Sequence, residues 1–466
     1  MSIPGLGQAS PATATTVPTL EATVAVHELQ PNTEWRFEVA LTDRIQLKAG
    51  SPSARPVLTG TAEIFGTELA LNHNYQFQGT KSSLFTWHGC RIEVRGPCEE
   101  YMAEETPMIQ YANTHFALEK LRDLAHQDGT DGPRVLVVGP INAGKTSLIK
   151  ILTAYALRMD RQIMVINTDP REGILSIPGT MTATPFASII DVEQGWGSSS
   201  TSTSSSVPAK LPLCYFYGFG NPEENSKLYK PILTRLALAA TSRVADEKTI
   251  KESGMIIDTS GVISQGKGGY DLISHIVSEF SVNVILVLGS ERLHSEMLRR
   301  FSSYKTRTGE SITLVKLDKS GGCVDRDEEY LQQIRDASIK EYFFGGPITT
   351  LSPHTQLINF EEALVYKIKD ANCQYFAPGG EESIDQEIFE KVEPGPRMLH
   401  CILAVMYASV VDPQETVRDA SVMGFVYVSE VDEKKRKLKL LAPMNSRMSD
   451  RPLVWGNWPE PSISII

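Results

Sequence analysis

One short segment constrains the fold of this chain more than any other. The apolar run RVLVV (134–138) is followed by GPINAGKT (139–146), and apolar residues at helical spacing continue in TSLIKILTAYALRM (146–159). A short all-apolar run is typical of a strand buried on both faces of a parallel sheet. A strand, a glycine-rich loop closing on Gly-Lys-Thr and a helix together predict a phosphate-binding P-loop. The alternative is a glycine turn that arises by chance.

The loop has a direct physical use. Backbone N–H groups at the start of a helix have no partner within the helix, and the helix dipole favours negative charge there. Lys145 is placed to reach the β- and γ-phosphates, and the Thr146 hydroxyl is placed to bind Mg²⁺. The predicted phosphate-binding residues are Gly139, Asn142, Ala143, Gly144, Lys145, Thr146 and Ser147.

Further strands and helices alternate after the loop. Apolar runs recur as QIMVIN (162–167), GMIIDT (254–259), NVILVL (283–288) and SITLVKL (311–317). Helical patterns lie between them, as in KLYKPILTRLALAA (227–240) and YDLISHIVSEF (270–280). This alternation predicts an α/β fold with a parallel sheet, as a P-loop domain over 106–345. GWGSSSTSTSSSVP (195–208) is too polar to bury and is interpreted as a flexible surface insertion.

Both flanks of this domain are predicted to be β-rich. Short alternating segments at about ten-residue spacing predict an N-terminal sandwich over 21–105: WRFEVAL (35–41), RPVLTG (55–60), YQFQG (75–79), SLFTW (83–87) and RIEVRG (91–96). The segment 112–127 has helical spacing, and 1–20 has the composition of a disordered tail without the features of a secretory signal. Strand patterns dominate again over 346–466, where DEKKRKLK (432–439) is interpreted as a solvated hairpin instead of a nucleic-acid patch.

Composition limits the partners. The 466 residues carry a net charge of −11, which argues against a broad basic surface for nucleic acid. We therefore expect no DNA binding, and RNA contact that is local or arranged by partner subunits. Six scattered cysteines indicate reduced thiols, and no apolar run approaches the ~20 residues of a membrane span.

A carboxylate should complete the phosphate site. Asp169 closes QIMVINTD, which places it at the carboxyl edge of the sheet, where ligands collect. It could position Mg²⁺ or accept a proton from an attacking hydroxyl, although an Asp-Pro turn remains an alternative. The segment KLDKS (316–320) does not fit a guanine-binding loop, so the expected nucleotide is ATP.

With these motifs the sequence resembles the polynucleotide 5′-hydroxyl kinase family, which includes a subunit of the pre-mRNA cleavage and polyadenylation machinery. The matching segments, in order, are TEWRFEV (33–39), AEIFGTELA (62–70), FTWHGC (85–90), the P-loop, SIPGT (176–180), KSGG (319–322) and KEYFFG (340–345). The resemblance implies an N-terminal β-domain, a central P-loop domain and a small C-terminal domain. It also implies that Glu34 hydrogen-bonds the base and that Lys81 lies against the nucleotide; an exposed surface role for Glu34 is the alternative.

The sequence departs from the active kinases of this family at three places. Their second acidic motif is Asp-x-Gly-Gln, whereas this chain has Asp169-Pro170-Arg171-Glu172. Val262 occupies the position of their RNA-stacking tryptophan, and valine has no aromatic face on which a base could stack. Of their two lid arginines, Arg326 matches the first and Leu331 replaces the second, although Arg335 lies one turn further on.

Two main hypotheses remain, beside the alternative of a P-loop ATPase of unrelated purpose. The first is a non-catalytic, ATP·Mg²⁺-holding nuclear subunit that resembles the ATP-binding subunit of fungal cleavage factor IA. It would bind a scaffold subunit through its central domain and meet RNA through the complex. The second is an active RNA 5′-kinase in which Asp169 is the base, Lys145 the phosphate clamp and Arg326 the lid residue.

Overall fold

A computed structural model describes residues 24–50, 61–193, 195–196, 212–346, 350–369, 388–443 and 450–465. The predicted tail 1–20, the predicted strand RPVLTG (55–60) and residues 197–208 of the predicted insertion lie outside these described residues. The α/β class predicted from the sequence is confirmed, with a P-loop domain between two β-rich regions. The domain boundaries near 105 and 345 remain a prediction.

The first region, residues 24–103, is called the front module. Its strands alternate between buried and exposed residues, so that Ile45, Leu47 and Ala49 of one strand all enter the core. One face of each sheet therefore packs on the other, as in a sandwich. The strands are β1 (Val24–Leu29), β2 (Thr33–Glu38), β3 (Arg44–Gly50), β4 (Glu63–Ile64), β5 (Thr67–Glu68), β6 (Asn74–Gln78), β7 (Lys81–Thr86), β8 (Cys90–Arg95) and β9 (Glu99–Ala103). The sheet orders are β1-β8-β3-β6 and β5-β4-β7-β2-β9.

The central region begins with a helix that leads into the P-loop strand. Its helices are α1 (Met108–Asp128), α2 (Lys145–Arg158), α3 (Ser226–Asp246), α4 (Lys248–Ser253), α5 (Gly266–Phe280), α6 (Glu291–Phe301) and α7 (Glu328–Phe344). Its strands are β10 (Arg134–Val138), β11 (Ile163–Asn167), β12 (Thr180–Phe186), β13 (Leu213–Phe216), β14 (Met255–Asp258), β15 (Val284–Leu288) and β16 (Thr313–Leu317). The sheet order is β13-β12-β11-β14-β10-β15-β16.

Helices cover both faces of this sheet, as the apolar runs predicted. On β10, Val135 and Val137 pack in the same core as α1 and α2, while Leu136 and Val138 pack in the core of α3 and α5. The five strands from β11 to β16 in this order are parallel, and β12 and β13 extend the sheet antiparallel. The carboxyl ends of the parallel strands consequently share one edge, beside the P-loop.

The predicted start of the polar insertion is wrong. Trp196, within the predicted range 195–208, is buried against Phe186, and the ammonium of Lys150 lies 5.5 Å from its ring centroid. An indole buries a large apolar area even between glycines, and this outweighs the polar composition that follows it.

The described residues of the last region form a mixed sheet and include the short α-helix α8 (Gln414–Asp419). Its strands are β17 (His354–Asn359), β18 (Val365–Ile368), β19 (Phe389–Val392), β20 (Ile402–Met406), β21 (Val422–Asp432), β22 (Lys437–Ala442) and β23 (Leu453–Trp455), in the order β17-β22-β21-β20-β23-β18-β19. The hairpin predicted at 432–439 is confirmed, and Arg436 in its turn pairs with Glu361 and Glu393. No helix in the described part of the chain is long and apolar enough to cross a membrane.

Candidate functional site

A cleft of about 500 Å³ lies between the front module, the P-loop and residues 319–331, which we call the lid segment. Glu34 and Lys81 of the front module line it together with Asp169 and Arg326. From the P-loop it is lined by Asn142, Ala143, Gly144, Lys145, Thr146 and Ser147. Of the predicted site residues, Gly139 alone does not line the cleft. A Cβ there would come within 2.9 Å of the Leu288 carbonyl oxygen, so this glycine serves close packing.

The P-loop conformation depends on two residues with positive φ. Asn142 has φ 56° and Gly144 has φ 87°, and α2 begins directly after Gly144. A Cβ on Gly144 would come within 2.5 Å of Cys323 Sγ in the lid segment. Glycine is therefore required here both by the left-handed backbone and by the close approach of the lid.

Lys145 lies over its own loop. The residue is 8% exposed, and its Nζ donates a hydrogen bond to the Pro140 carbonyl oxygen at 3.0 Å. A buried ammonium with a single neutral acceptor retains donors for an anion. The geometry fits a lysine that contacts phosphate oxygens in the cleft.

The hydroxyl of Thr146 is hydrogen-bonded to a carboxylate that was not predicted from the sequence. Thr146 Oγ1 donates to Asp258 Oδ2 at 2.6 Å. Asp258 ends β14, which lies beside the P-loop strand β10 in the sheet. Burial raises the pKa of Asp258 to about 7, against the effects of Lys145 and the Thr146 hydrogen bond. The signal in the sequence was the final acid of GMIIDT, the same pattern that drew attention to Asp169.

Asp258 also fits a metal ion. Its Oδ1 is buried and has no hydrogen-bond partner among the described residues. A carboxylate oxygen beside a hydroxyl is a ligand set that suits Mg²⁺, which takes one or two protein ligands together with phosphate oxygens. The predicted metal residue Thr146 thus faces Asp258, while Asp169 lines the same cleft.

Asp169 forms a local turn and lines the cleft at the same time. Its Oδ1 accepts the Arg171 backbone N–H at 3.0 Å, and its own N–H donates to Asn167 Oδ1 at 2.9 Å. Burial raises its pKa, and the charge of Glu172 acts in the same direction. The turn and the cleft roles considered from the sequence are therefore compatible.

Glu34 and Lys81 lie on neighbouring strands of the front module. Glu34 is 4% exposed, so the alternative of an exposed surface residue is wrong. Lys81 Nζ lies 2.6 Å from Glu38 Oε1 and 4.9 Å from the ring centroid of Tyr330. An acidic and a basic side chain thus face the cleft opposite the P-loop.

The three departures from the kinase pattern all concern this cleft. Val262 and Leu331 line it, and so do Arg171 and Glu172 of the second acidic segment. The matching lid residue Arg326 also lines the cleft and is exposed. Arg335 does not replace the missing lid arginine, because it is buried outside the cleft. Its guanidinium lies 4.5 Å from the ring centroid of Trp458 and 2.9 Å from Glu328.

The replacement residue Arg171 belongs to the same group of contacts. Its Nη2 donates to Glu328 Oε2 at 2.6 Å, and its carbonyl oxygen accepts Trp458 Nε1 at 3.2 Å. Arg171, Glu328, Arg335 and Trp458 therefore form a closed ring of contacts. This ring joins the segment after β11, the first turn of α7 and the chain beyond β23.

This fold and this cleft define a P-loop protein with a β-sandwich module against its phosphate loop. Three family models match: mRNA cleavage and polyadenylation factor CLP1 P-loop over 139–345, N-terminal beta-sandwich domain of polyadenylation factor over 28–125, and Pre-mRNA cleavage complex II protein Clp1 over 351–460. The chain belongs to the mRNA cleavage and polyadenylation factor Clp1 family. The family resemblance seen in the sequence is confirmed.

Full-length relatives carry the same name. A Botryotinia fuckeliana mRNA cleavage and polyadenylation factor clp1 is 67% identical over 468 residues, covering 100% of both chains. The Phaeosphaeria nodorum factor CLP1 is 47% identical over 473 residues, covering 99% of this chain and 98% of its own.

Two solved structures share the fold at 26% identity. One, a wild-type Clp1p–Pcf11p complex, has a TM-score of 0.80 and covers 94% of this chain and 98% of its own. The other describes the extended Pcf11p–Clp1p interface and the structural basis for ATP loss in a point mutant. Its TM-score is 0.81, with coverage of 94% and 99%.

Proposed function

We propose that this chain is an ATP-binding, non-catalytic subunit of the pre-mRNA cleavage and polyadenylation machinery, of the cleavage factor IA type, which acts in the nucleus. One observation carries the proposal. The residues predicted to hold the triphosphate line the cleft apart from Gly139, whereas Leu331 occupies the position of the second lid arginine and the nearby Arg335 pairs with Glu328. The names of its relatives support the place in mRNA 3′-end formation.

ATP and Mg²⁺ are the ligands we propose. Lys145 and the P-loop amides would hold the phosphates, and Thr146 and Asp258 would hold Mg²⁺ with Asp169 nearby. Bound Mg²⁺ would neutralise phosphate charge. At the opposite end Glu34 would accept a hydrogen bond from the adenine, and Lys81 would lie against the nucleotide.

The nucleotide would act as a fastener. The cleft is lined by the front module, the P-loop and the lid segment, so a ligand there touches three parts of the chain. A ligand present at 1,000 times its dissociation constant stabilises the folded state by about 4 kcal/mol. Millimolar ATP would therefore hold these parts in one arrangement.

We propose that a scaffold subunit docks on the central region of this arrangement. The support comes from the two solved relatives. Both are described together with Pcf11p, and each matches 94% of this chain. RNA would reach the subunit through the complex, consistent with the net charge of −11.

The test begins with the nucleotide extracted from protein purified without added ligand. Intact ATP is expected; ADP would indicate turnover, and an empty protein would contradict the proposal. Lys145→Ala should then lose bound nucleotide and scaffold binding together, while the control Lys120→Ala, on the exposed face of α1, should keep both. Normal scaffold binding by an ATP-free Lys145→Ala protein would separate the two functions and reject the fastener.

An active ATP-dependent RNA 5′-kinase remains the second candidate, because Asp169 and Arg326 line the same cleft as Lys145. Incubation with labelled ATP and a 5′-hydroxyl oligonucleotide distinguishes the two. Transfer of label that is lost in Lys145→Ala would favour the kinase.

A further inference from the structure

The carboxylate of Glu34 is held from two sides. Its Oε2 accepts a hydrogen bond from Arg36 Nε at 2.8 Å, and its Oε1 accepts the hydroxyl of Thr106. Glu34 and Arg36 are 4% and 7% exposed, so the two charges form a buried pair on strand β2. A buried carboxylate needs such an opposite charge, and it then keeps a fixed orientation.

Arg36 also contacts the lid segment. Its guanidinium packs so closely on Gly322 that a Cβ there would come within 2.8 Å of Nε. Its Nη2 lies 3.4 Å from Ser320 Oγ and 3.3 Å from the Glu105 carbonyl oxygen. The two glycines of KSGG therefore leave room for the Arg36 side chain, which lies 284 positions before Ser320 in the sequence.

The lid segment continues from this contact onto the phosphate loop. Cys323, next to Gly322, has its Sγ 3.6 Å from the Ala143 carbonyl oxygen. One side chain of the front module thus touches both the carboxylate at the base end of the cleft and the segment that covers the P-loop.

The chemistry of Glu34 limits it to hydrogen-bond donors on a base. An ionised carboxylate only accepts hydrogen bonds, and each oxygen has acceptor capacity beyond the single bond described above. The free capacity suits the exocyclic amino group of adenine. A carboxylate without its guanidinium partner would lose both its orientation and the compensation of its charge.

We propose that Arg36 is a positioning residue for nucleotide selection, which orients Glu34 toward the amino group of the base and links this end of the cleft to the lid through Gly322. The inference rests on the proposed binding of ATP. Neither Arg36 nor Gly322 was among the residues expected to contact nucleotide.

The experiment compares two ligands that differ by one group. ATP and purine riboside 5′-triphosphate, which lacks only the 6-amino group, are titrated in the presence of Mg²⁺ into full-length protein stripped of nucleotide. A hydrogen bond to a charged group corresponds to about a 10- to 100-fold preference, which we expect for ATP with the wild type. In Arg36→Met the ratio of the two affinities should fall below about threefold, since Glu34 is no longer held by the guanidinium.

Matched variants keep the test decisive. Arg36→Lys keeps the positive charge but not the planar guanidinium, and it should retain an intermediate preference for ATP. Gly322→Ala should reduce the wild-type preference by displacing the guanidinium of Arg36. Arg91→Lys, at a front-module arginine 3.3 Å from Glu93 and outside the cleft, should leave it unchanged. If Arg36→Met does not fold, the lysine and alanine variants carry the comparison.

Each result has a distinct meaning. A wild-type preference kept by the Arg36 and Gly322 variants would overturn the inference. So would a drop in melting temperature and in both affinities with an unchanged ratio, because that describes a purely structural arginine. Equal wild-type binding of the two ligands would reject amino-group selection but leave nucleotide binding intact. Absence of any ATP binding by the wild type would reject the proposed function itself.

Discussion

Replacing Asp258 with Asn should make the metal-free, nucleotide-free protein less sensitive to rising pH and also weaken its response to Mg·ATP. The carboxylate is 2% exposed, and burial raises its pKa from 3.8 to about 7. The folded state therefore binds this proton more tightly than the unfolded state does. The resulting stabilisation is complete below pH about 4 and is lost as the pH rises through about 7.

The magnitude follows from the width of this interval. One unit of pKa difference corresponds to about 1.4 kcal/mol. The pKa interval runs from 3.8 to about 7, and a change from pH 5 to pH 8 covers about two units of it. The wild type should therefore lose about 3 kcal/mol of folding stability through this group. Asparagine has no proton to lose. Its NH₂ group would be buried without a hydrogen-bond partner, which costs about 1–3 kcal/mol. This cost is the same at both pH values.

The measurement is chemical or thermal unfolding at pH 5 and pH 8 in the presence of a chelator, analysed as the difference between variant and wild type. Titrating groups that do not interact with Asp258 cancel in that difference, and Asp271→Asn on the exposed side of α5 serves as the control. Adding Mg·ATP at pH 8 should stabilise the wild type more than Asp258→Asn. An equal pH-dependent loss in both proteins would refute the burial argument. Equal stabilisation by Mg·ATP would remove Asp258 from the metal site.

Three further predictions concern other parts of the central region. Gly144→Ala should fold but lose the ATP-dependent rise in melting temperature, because its Cβ would meet Cys323 Sγ at 2.5 Å on a backbone with φ 87°; a wild-type rise would refute this. Burial lowers the pKa of His115 to about 4, so the folded state resists protonation and the wild type should lose about 3 kcal/mol between pH 6.5 and 4. His115→Phe should flatten that part of the pH–stability curve, and an unchanged curve would contradict the assignment. Val262→Trp combined with Leu331→Arg should not restore phosphate transfer to a 5′-hydroxyl oligonucleotide, since the second acidic segment still departs from the active pattern; turnover would show that this segment does not matter.

The phosphate-binding part of the site could be predicted because it is local. The P-loop strand, loop and helix are contiguous, so their spacing alone defines the phosphate-binding geometry. Asp258 was missed for the opposite reason. Its strand β14 lies between β10 and β11, although it follows β11 by about 90 residues and β10 by about 120. Only the sheet order places it beside Thr146. Sheet order is determined by tertiary packing, which a pattern of apolar runs does not specify.

Of the two antiparallel strands that extend the central sheet, β12 was missed because of its composition. Strand β12, TMTATPF, alternates threonine with apolar residues and contains a proline, yet every residue in it is buried. The hydroxyls of Thr180 and Thr182 donate to the carbonyl oxygens of Ile177 and Ile174 at 2.7 and 2.8 Å. These bonds satisfy two of the three threonine hydroxyls of the strand, whereas Thr184 Oγ1 is buried without a hydrogen-bond partner among the described residues. A strand that appears half-exposed in the sequence can enter the core when most of its polar groups are satisfied in this way.

The contacts of the front module indicate where a bound nucleotide would act as a fastener. The module is already held on the P-loop helix at Gly66, where a Cβ would come within 2.9 Å of the Ile151 carbonyl oxygen. It is also held at Glu63, which accepts hydrogen bonds from Tyr155 and, at 3.2 Å, from Arg158. Of the residues in these contacts Ile151 lines the cleft, whereas Glu63, Gly66, Tyr155 and Arg158 do not. The front module is therefore joined to this helix mostly by contacts that need no nucleotide. The effect of the nucleotide should instead fall on the lid segment, which approaches the front module and the P-loop through neighbouring glycines and an exposed turn. A triphosphate beneath that segment would add fixed charge where the protein itself supplies few buried contacts, and the stability that ATP confers should therefore be concentrated there.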